Sequence, residues 1–179
     1  NFEHRPLPNV KKQQITLSKE DFELSPEELK EKIKNYDYLS FNDGSSDFHS
    51  FKEYFQIYSL EKTKKEISCC DYSLNFRGLG NILVFKSYRY LRFSNISELN
   101  KLVNINQLMV TKQYFIRNFN KFKQMANGKS QKIIGDKNTA FVSIPLIEIN
   151  GINKNLSEEI NRLDKESIEK AFQINFLFN

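Results

Sequence analysis

The chain has 179 residues, of which 39% are hydrophobic and 27% charged, with 16 Phe, 8 Tyr and no Trp. This composition excludes a disordered chain and supplies enough bulky apolar surface for one core of ordinary domain size. The longest apolar run, Ile82 to Phe85, falls far short of the ~20 residues that span a bilayer, and the formal net charge is +5.

The charge is unevenly spread. Eleven basic residues and a single acid, Glu98, lie between Tyr72 and Ile134, whereas the remainder carries sixteen basic and twenty-one acidic residues. A basic middle third between acidic flanks points to a polyanionic partner. The two cysteines, Cys69 and Cys70, are adjacent and form no disulfide framework, so an intracellular protein is expected. Residue 1 is Asn, so a mature or excised piece is expected, with any signal peptide removed.

In chain order, residues 1–14 carry Pro6 and Pro8 without hydrophobic period and read as an extended N-terminal arm; residues 15–179 read as one α+β domain. Gln14 to Leu17 fits a short strand. Ser25-Pro26-Glu27-Glu28 is a helix start, with Ser25 as cap, Pro26 at the first helical position and Glu28 completing a capping box. Leu29, Ile33 and Tyr36 form that helix's apolar stripe. Asn42 to Ser46 is a loop, and Asp47 is placed as the cap of a short helix carrying Phe48, Phe51 and Phe55.

Three strands are expected next, Tyr54–Leu60, Ile67–Phe76 and Asn81–Phe93, joined by turns at 61–65 and 77–80. They would form a small antiparallel meander with flanking helices. Cys69 and Cys70, as strand neighbours, would face opposite ways, one into the core and one outward. A short helix at Ser97–Val103 precedes a long one at Leu108–Ala126, with Leu108, Phe115, Phe119, Phe122 and Ala126 on one stripe and a stop at Asn127-Gly128. Thr139–Ile149 reads as a strand at a sheet edge, because it contains Pro145. Helices capped at Asn155 and at Lys165–Phe172 and a strand at Ile174–Phe178 complete the chain.

Two surfaces suit nucleic acid. On the third strand Lys86, Tyr88, Tyr90 and Arg92 share one face, an aromatic row flanked by cations that suits stacked bases and their phosphates. On the long helix the face opposite Phe115 and Phe119 carries Gln113, Arg117, Asn120, Lys121 and Gln124 without an acid. Lys123, Lys129 and Lys132 extend it as further phosphate contacts. The expected function is therefore binding of single-stranded or structured nucleic acid, without cofactor or metal. The alternative is a protein–protein interaction module that meets an acidic partner in a larger assembly.

Other patterns are weaker. Arg77 to Val84 resembles the first ribonucleoprotein signature of RNA-recognition domains, but Leu79 and Asn81 stand where that family has stacking aromatics, so its roles are not carried over. Ser97 to Ile116 loosely resembles a helix-turn-helix through Leu99, Val103, Ile105 and Val110. Gly128-Lys129-Ser130 matches only the tail of a phosphate-binding loop, with Lys123 in place of the leading Gly. Asp43, Asp47 and His49 could hold a metal, which would make a metal-dependent nuclease, but Asp47 as a helix cap and a solvated His49 are the preferred reading, since no further ligand cluster accompanies them.

Overall fold

The computed structural model describes residues 20–42, 44, 46–75, 81–85, 99–100, 103–127, 129, 131–135, 137–150 and 172–176. By its internal contacts the backbone divides into two units between Tyr36 and Asp37. In the first, a 3-10 turn at Glu20–Glu23 leads into helix α1, Pro26–Lys32. The Ser25 capping box forms as expected: Ser25 Oγ accepts from the Glu28 N–H, and the Ser25 N–H donates to the Glu28 carboxylate at 2.9 Å. Leu29 and Ile33 are fully buried, and Lys32 pairs with Asp21. The expected arm at 1–14 and strand at Gln14–Leu17 lie outside the described residues.

The second unit has an α+β fold built on one mostly antiparallel sheet. Its elements are β1 (Tyr38–Ser40), β2 (Ser46–Phe48), α2 (Lys52–Thr63), β3 (Ile67–Asn75), β4 (Asn81–Phe85), β5 (Leu108–Thr111), α3 (Lys112–Arg117), α4 (Phe119–Ala126), β6 (Thr139–Asn150) and β7 (Phe172–Phe176). The central strand is β3. Along one edge it pairs antiparallel with β5 through Ile67–Cys69 and then with β4 through Tyr72–Asn75. Along the other it pairs with β6, in parallel. β1 and β7 lie beyond β5 and β4, and β2 lies beyond β6.

Six expectations are corrected. Tyr54–Leu60 is not a strand but the body of α2, and Asp47 caps no helix because it lies in β2. Lys52, Gln56, Ile57 and Leu60 turn inward, a helical spacing hidden in the sequence because two of the four are polar. Leu108–Thr111 is strand, not helix: Leu108, Met109 and Val110 are all buried between β1 and β3, so no helical period governs them. In the helix-turn-helix likeness Val110 therefore lies in a strand, and helix begins only at Lys112. The rest of the long helix breaks at Asn118, whose Nδ2 donates to the Tyr114 carbonyl at 3.0 Å. Its stripe holds, with Phe115, Phe119 and Phe122 buried in one aromatic cluster with Phe41 and Tyr114.

Cys69 and Cys70 are both fully buried, because both faces of β3 are covered. Finally, β6 is paired on both sides and is not a simple edge. Pro145 is accommodated by a bulge instead: Cys70 pairs with Val142 but Asp71 with Pro145, so the strand skips residues where proline has no N–H to give. The expected turn at 77–80, the later part of the third strand and the helices from Asn155 onward lie outside the described residues; Phe172–Phe176 is strand.

Candidate functional site

From Leu99 to Gly135 every charged residue is basic: Lys101, Lys112, Arg117, Lys121, Lys123, Lys129 and Lys132. The fold brings part of this stretch together by reversing the chain after α4. The Lys129 N–H donates to the Gln124 carbonyl at 2.9 Å, and the following residues return along the helices. The buried Asn100 side chain holds this return. Its Oδ1 accepts from the Ile133 and Ile134 N–H groups at 2.9 and 2.8 Å, and its Nδ2 donates to the Ile134 carbonyl at 2.9 Å. The Tyr114 hydroxyl donates to the Ile133 carbonyl at 3.0 Å. One buried amide thus does what a neighbouring strand would do, and the segment needs no sheet partner to satisfy its backbone.

As a result Lys121 on α4 and Lys132 on the return adjoin, the Lys121 ammonium donating to the Lys132 carbonyl at 3.2 Å. Lys132 and Lys129 are exposed and Lys123 is half-buried. Gln113, Asn120 and Gln124 are exposed on the helices, as the face reading expects. Arg117 differs: its guanidinium pairs with Glu66, a carboxylate from outside the basic stretch. The two line an open cleft of about 400 Å3 with Tyr38, Glu61, Lys64 and Gln113, in which Tyr38 donates to Glu61 and Lys64 also pairs with it. Lys65 lines it too, so three cations face two carboxylates there, and most of its charge is paired. Lys86, Tyr88, Tyr90 and Arg92 lie outside the described residues.

A second polar group lies inside the fold, and the sequence reading missed it. Lys52, only 1% exposed, donates to Ser40 Oγ at 2.7 Å and lies 4.4 Å from the Phe48 ring centroid. Gln56 Nε2, one turn on, bridges the Gln107 and Ser68 carbonyls at 2.7 and 3.2 Å. Gln107 Nε2 donates to the Cys70 carbonyl at 2.6 Å, and the Cys70 thiol points back to the Gln107 carbonyl at 3.5 Å. Burial holds the Lys52 pKa below the ordinary lysine value and pushes the Cys70 thiol up to about 12. A protonated thiol closed off from solvent is inert toward electrophiles. This network therefore ties α2 to β1, β3 and the turn before β5. The legible signal was the i, i+4 spacing of Lys52 and Gln56 on the stripe of Ile57 and Leu60.

Asp47 and His49 are exposed, Asp43 lies outside the described residues, and His49 Nδ1 accepts from the Phe51 N–H at 3.3 Å. Among the described residues no three His, Cys, Asp or Glu side chains group closely enough to hold a metal ion. Nor is any described helix long and apolar enough to cross a membrane. The Gly128-Lys129-Ser130 segment follows α4, whereas a phosphate-binding loop follows a strand. No protein-family model matches the chain, and no curated protein or solved structure shows significant similarity to it.

Proposed function

We propose that the chain is a nucleic-acid-binding domain that engages the phosphates of single-stranded or structured nucleic acid through Lys121, Lys123, Lys129 and Lys132. The observation that carries this reading is the acid-free stretch from Leu99 to Gly135, folded so that the Lys121 ammonium of α4 meets the backbone of Lys132 on the returning segment. Solvated helices ordinarily mix both signs, whereas a surface of one sign attracts polyanions and gains from released counterions. Arg117 stands at the margin of that surface, its charge offset by Glu66. The chemistry is binding: the phosphates gain charge-assisted hydrogen bonds, and no bond is made or broken.

The test is titration of a labelled single-stranded oligonucleotide with the protein at rising salt. Binding that weakens steeply with salt supports the reading; no binding at low salt removes it.

A further inference from the structure

Helix α2 is inverted relative to an ordinary surface helix. Its inward residues include Lys52 and Gln56, while the opposite face presents rings. Phe51 is 57% exposed and Tyr58 45% exposed, with Tyr54 and Phe55 half-buried beside them. These residues recur at the three- and four-residue intervals that place side chains on one face. The Tyr54 and Tyr58 rings lie 25° from parallel with centroids 6.4 Å apart, and His49 extends the row, 5.6 Å from Phe51. At the far end the Lys62 ammonium lies 5.7 Å from the Tyr58 ring centroid. The neighbouring carboxylate, Glu61, is engaged by Tyr38 and Lys64.

We propose that this aromatic row is a stacking platform for the unpaired bases of a single-stranded nucleic acid, with Lys62 meeting the adjoining phosphate. The inference rests on the nucleic-acid reading above and adds a second surface, on a different helix, that selects unpaired strands. Two features favour bases over another protein. The row consists of rings without a Leu, Ile, Met or Val, whereas a coiled-coil seam sets aliphatic knobs at these intervals. And the row ends on a cation, the Lys62 ammonium over the Tyr58 ring, which suits the phosphate beside a stacked base. Every base has a π-face, so such a platform tolerates any sequence.

The experiment uses the whole chain with a labelled oligothymidylate, a labelled duplex, and fluorescence anisotropy. The platform predicts that Tyr54→Ala with Tyr58→Ala weakens single-strand binding by at least about tenfold, the effect of losing a stacked base. Duplex affinity and the salt slope should stay unchanged, and Tyr58→Phe should bind as the parent does. The chain has no Trp, so quenching of its tyrosine fluorescence by the oligonucleotide, lost in the double variant, is a second readout. Parent and double variant binding the single strand equally would overturn the platform while leaving the lysine surface standing. A parent that binds no oligonucleotide overturns both. A dimer in sedimentation that Tyr58→Ala dissolves also overturns the platform, because the row then covers a second copy.

Discussion

Asn100 grips both backbone polar groups of Ile134, accepting from its N–H at 2.8 Å and donating to its carbonyl at 2.9 Å, and is itself 9% exposed. The same oxygen also accepts from the Ile133 N–H. Three buried backbone groups therefore depend on one amide. Everything attributed to Lys132 depends on it too, because this grip returns the chain alongside α4.

Asn100→Ala should destabilise the fold by about 2–4 kcal/mol, since buried donors and acceptors left unpaired cost about 1–3 kcal/mol each and partial relaxation offsets some of it. Denaturant unfolding measures the loss. Amide exchange at Ile133 and Ile134 should speed up far more than at Ile67 in β3. An equal increase at both places would mean that the grip is not local.

Lys52→Met should stabilise the protein by about 1 kcal/mol at pH 7, because replacing a buried charge by an apolar side chain of similar shape is neutral or favourable. Burial lowers the Lys52 pKa in the folded state, so the unfolded chain binds that proton more tightly. Its contribution to stability therefore rises as pH rises from the folded value toward the ordinary value of about 10.4. Cys70 acts in the opposite sense: pushed up to about 12, it lets the unfolded thiol ionise first, so stability falls above the ordinary thiol value. The Lys52→Met variant shares the Cys70 effect, so the difference between the two proteins isolates the lysine. That difference should shrink steadily as the pH is raised; a constant difference would show that Lys52 carries no burial penalty.

Both thiols should be unreactive toward a thiol-specific aromatic disulfide at pH 8 in the native protein and react fully in denaturant, because Cys69 and Cys70 are both fully buried and neither is bridged. Fast native reaction of one equivalent would restore the expectation that one of the pair faces outward.

Lys64 closes α2 in the left-handed region, φ 55°, with its N–H donating to the Leu60 carbonyl at 2.9 Å. A residue with a Cβ pays about 1 kcal/mol there that glycine does not. Lys64→Gly should therefore raise stability by about 0.5 kcal/mol after loss of the exposed pair with Glu61, which is worth little. Thermal unfolding checks this, and a lower melting temperature would contradict it.

The features legible in the sequence were those in which local chemistry and burial agree. Ser25, Pro26 and Glu28 specify the start of α1 without outside help, and Phe115, Phe119 and Phe122 keep helical spacing through the break at Asn118. The Ile67–Asn75 strand and the strand from Thr139 were also readable. The misreadings arose where a tertiary contact reversed the usual assignment of polar and apolar positions. In α2 the inward Lys52 donates to Ser40 and the inward Gln56 Nε2 donates to backbone carbonyls distant in sequence, so the helix looked like an aromatic strand. At Leu108–Val110 a strand buried on both faces carries no alternation and merged with the helix behind it. The basic stretch was legible as charge, but the approach of Lys132 to Lys121 depends on Asn100, more than thirty residues away, and no local pattern announces that.

The most direct measurement is the dependence of oligonucleotide affinity on salt for the parent chain and for a variant with Lys121, Lys123, Lys129 and Lys132 all changed to Gln. With about 0.7 counterions released per single-strand phosphate neutralised, four lysines should account for about three units of the log–log slope. The variant should bind weakly with a nearly flat slope, while Arg117→Gln, already offset by Glu66, should change it little. A variant whose slope and affinity match the parent's would contradict the assignment of this surface.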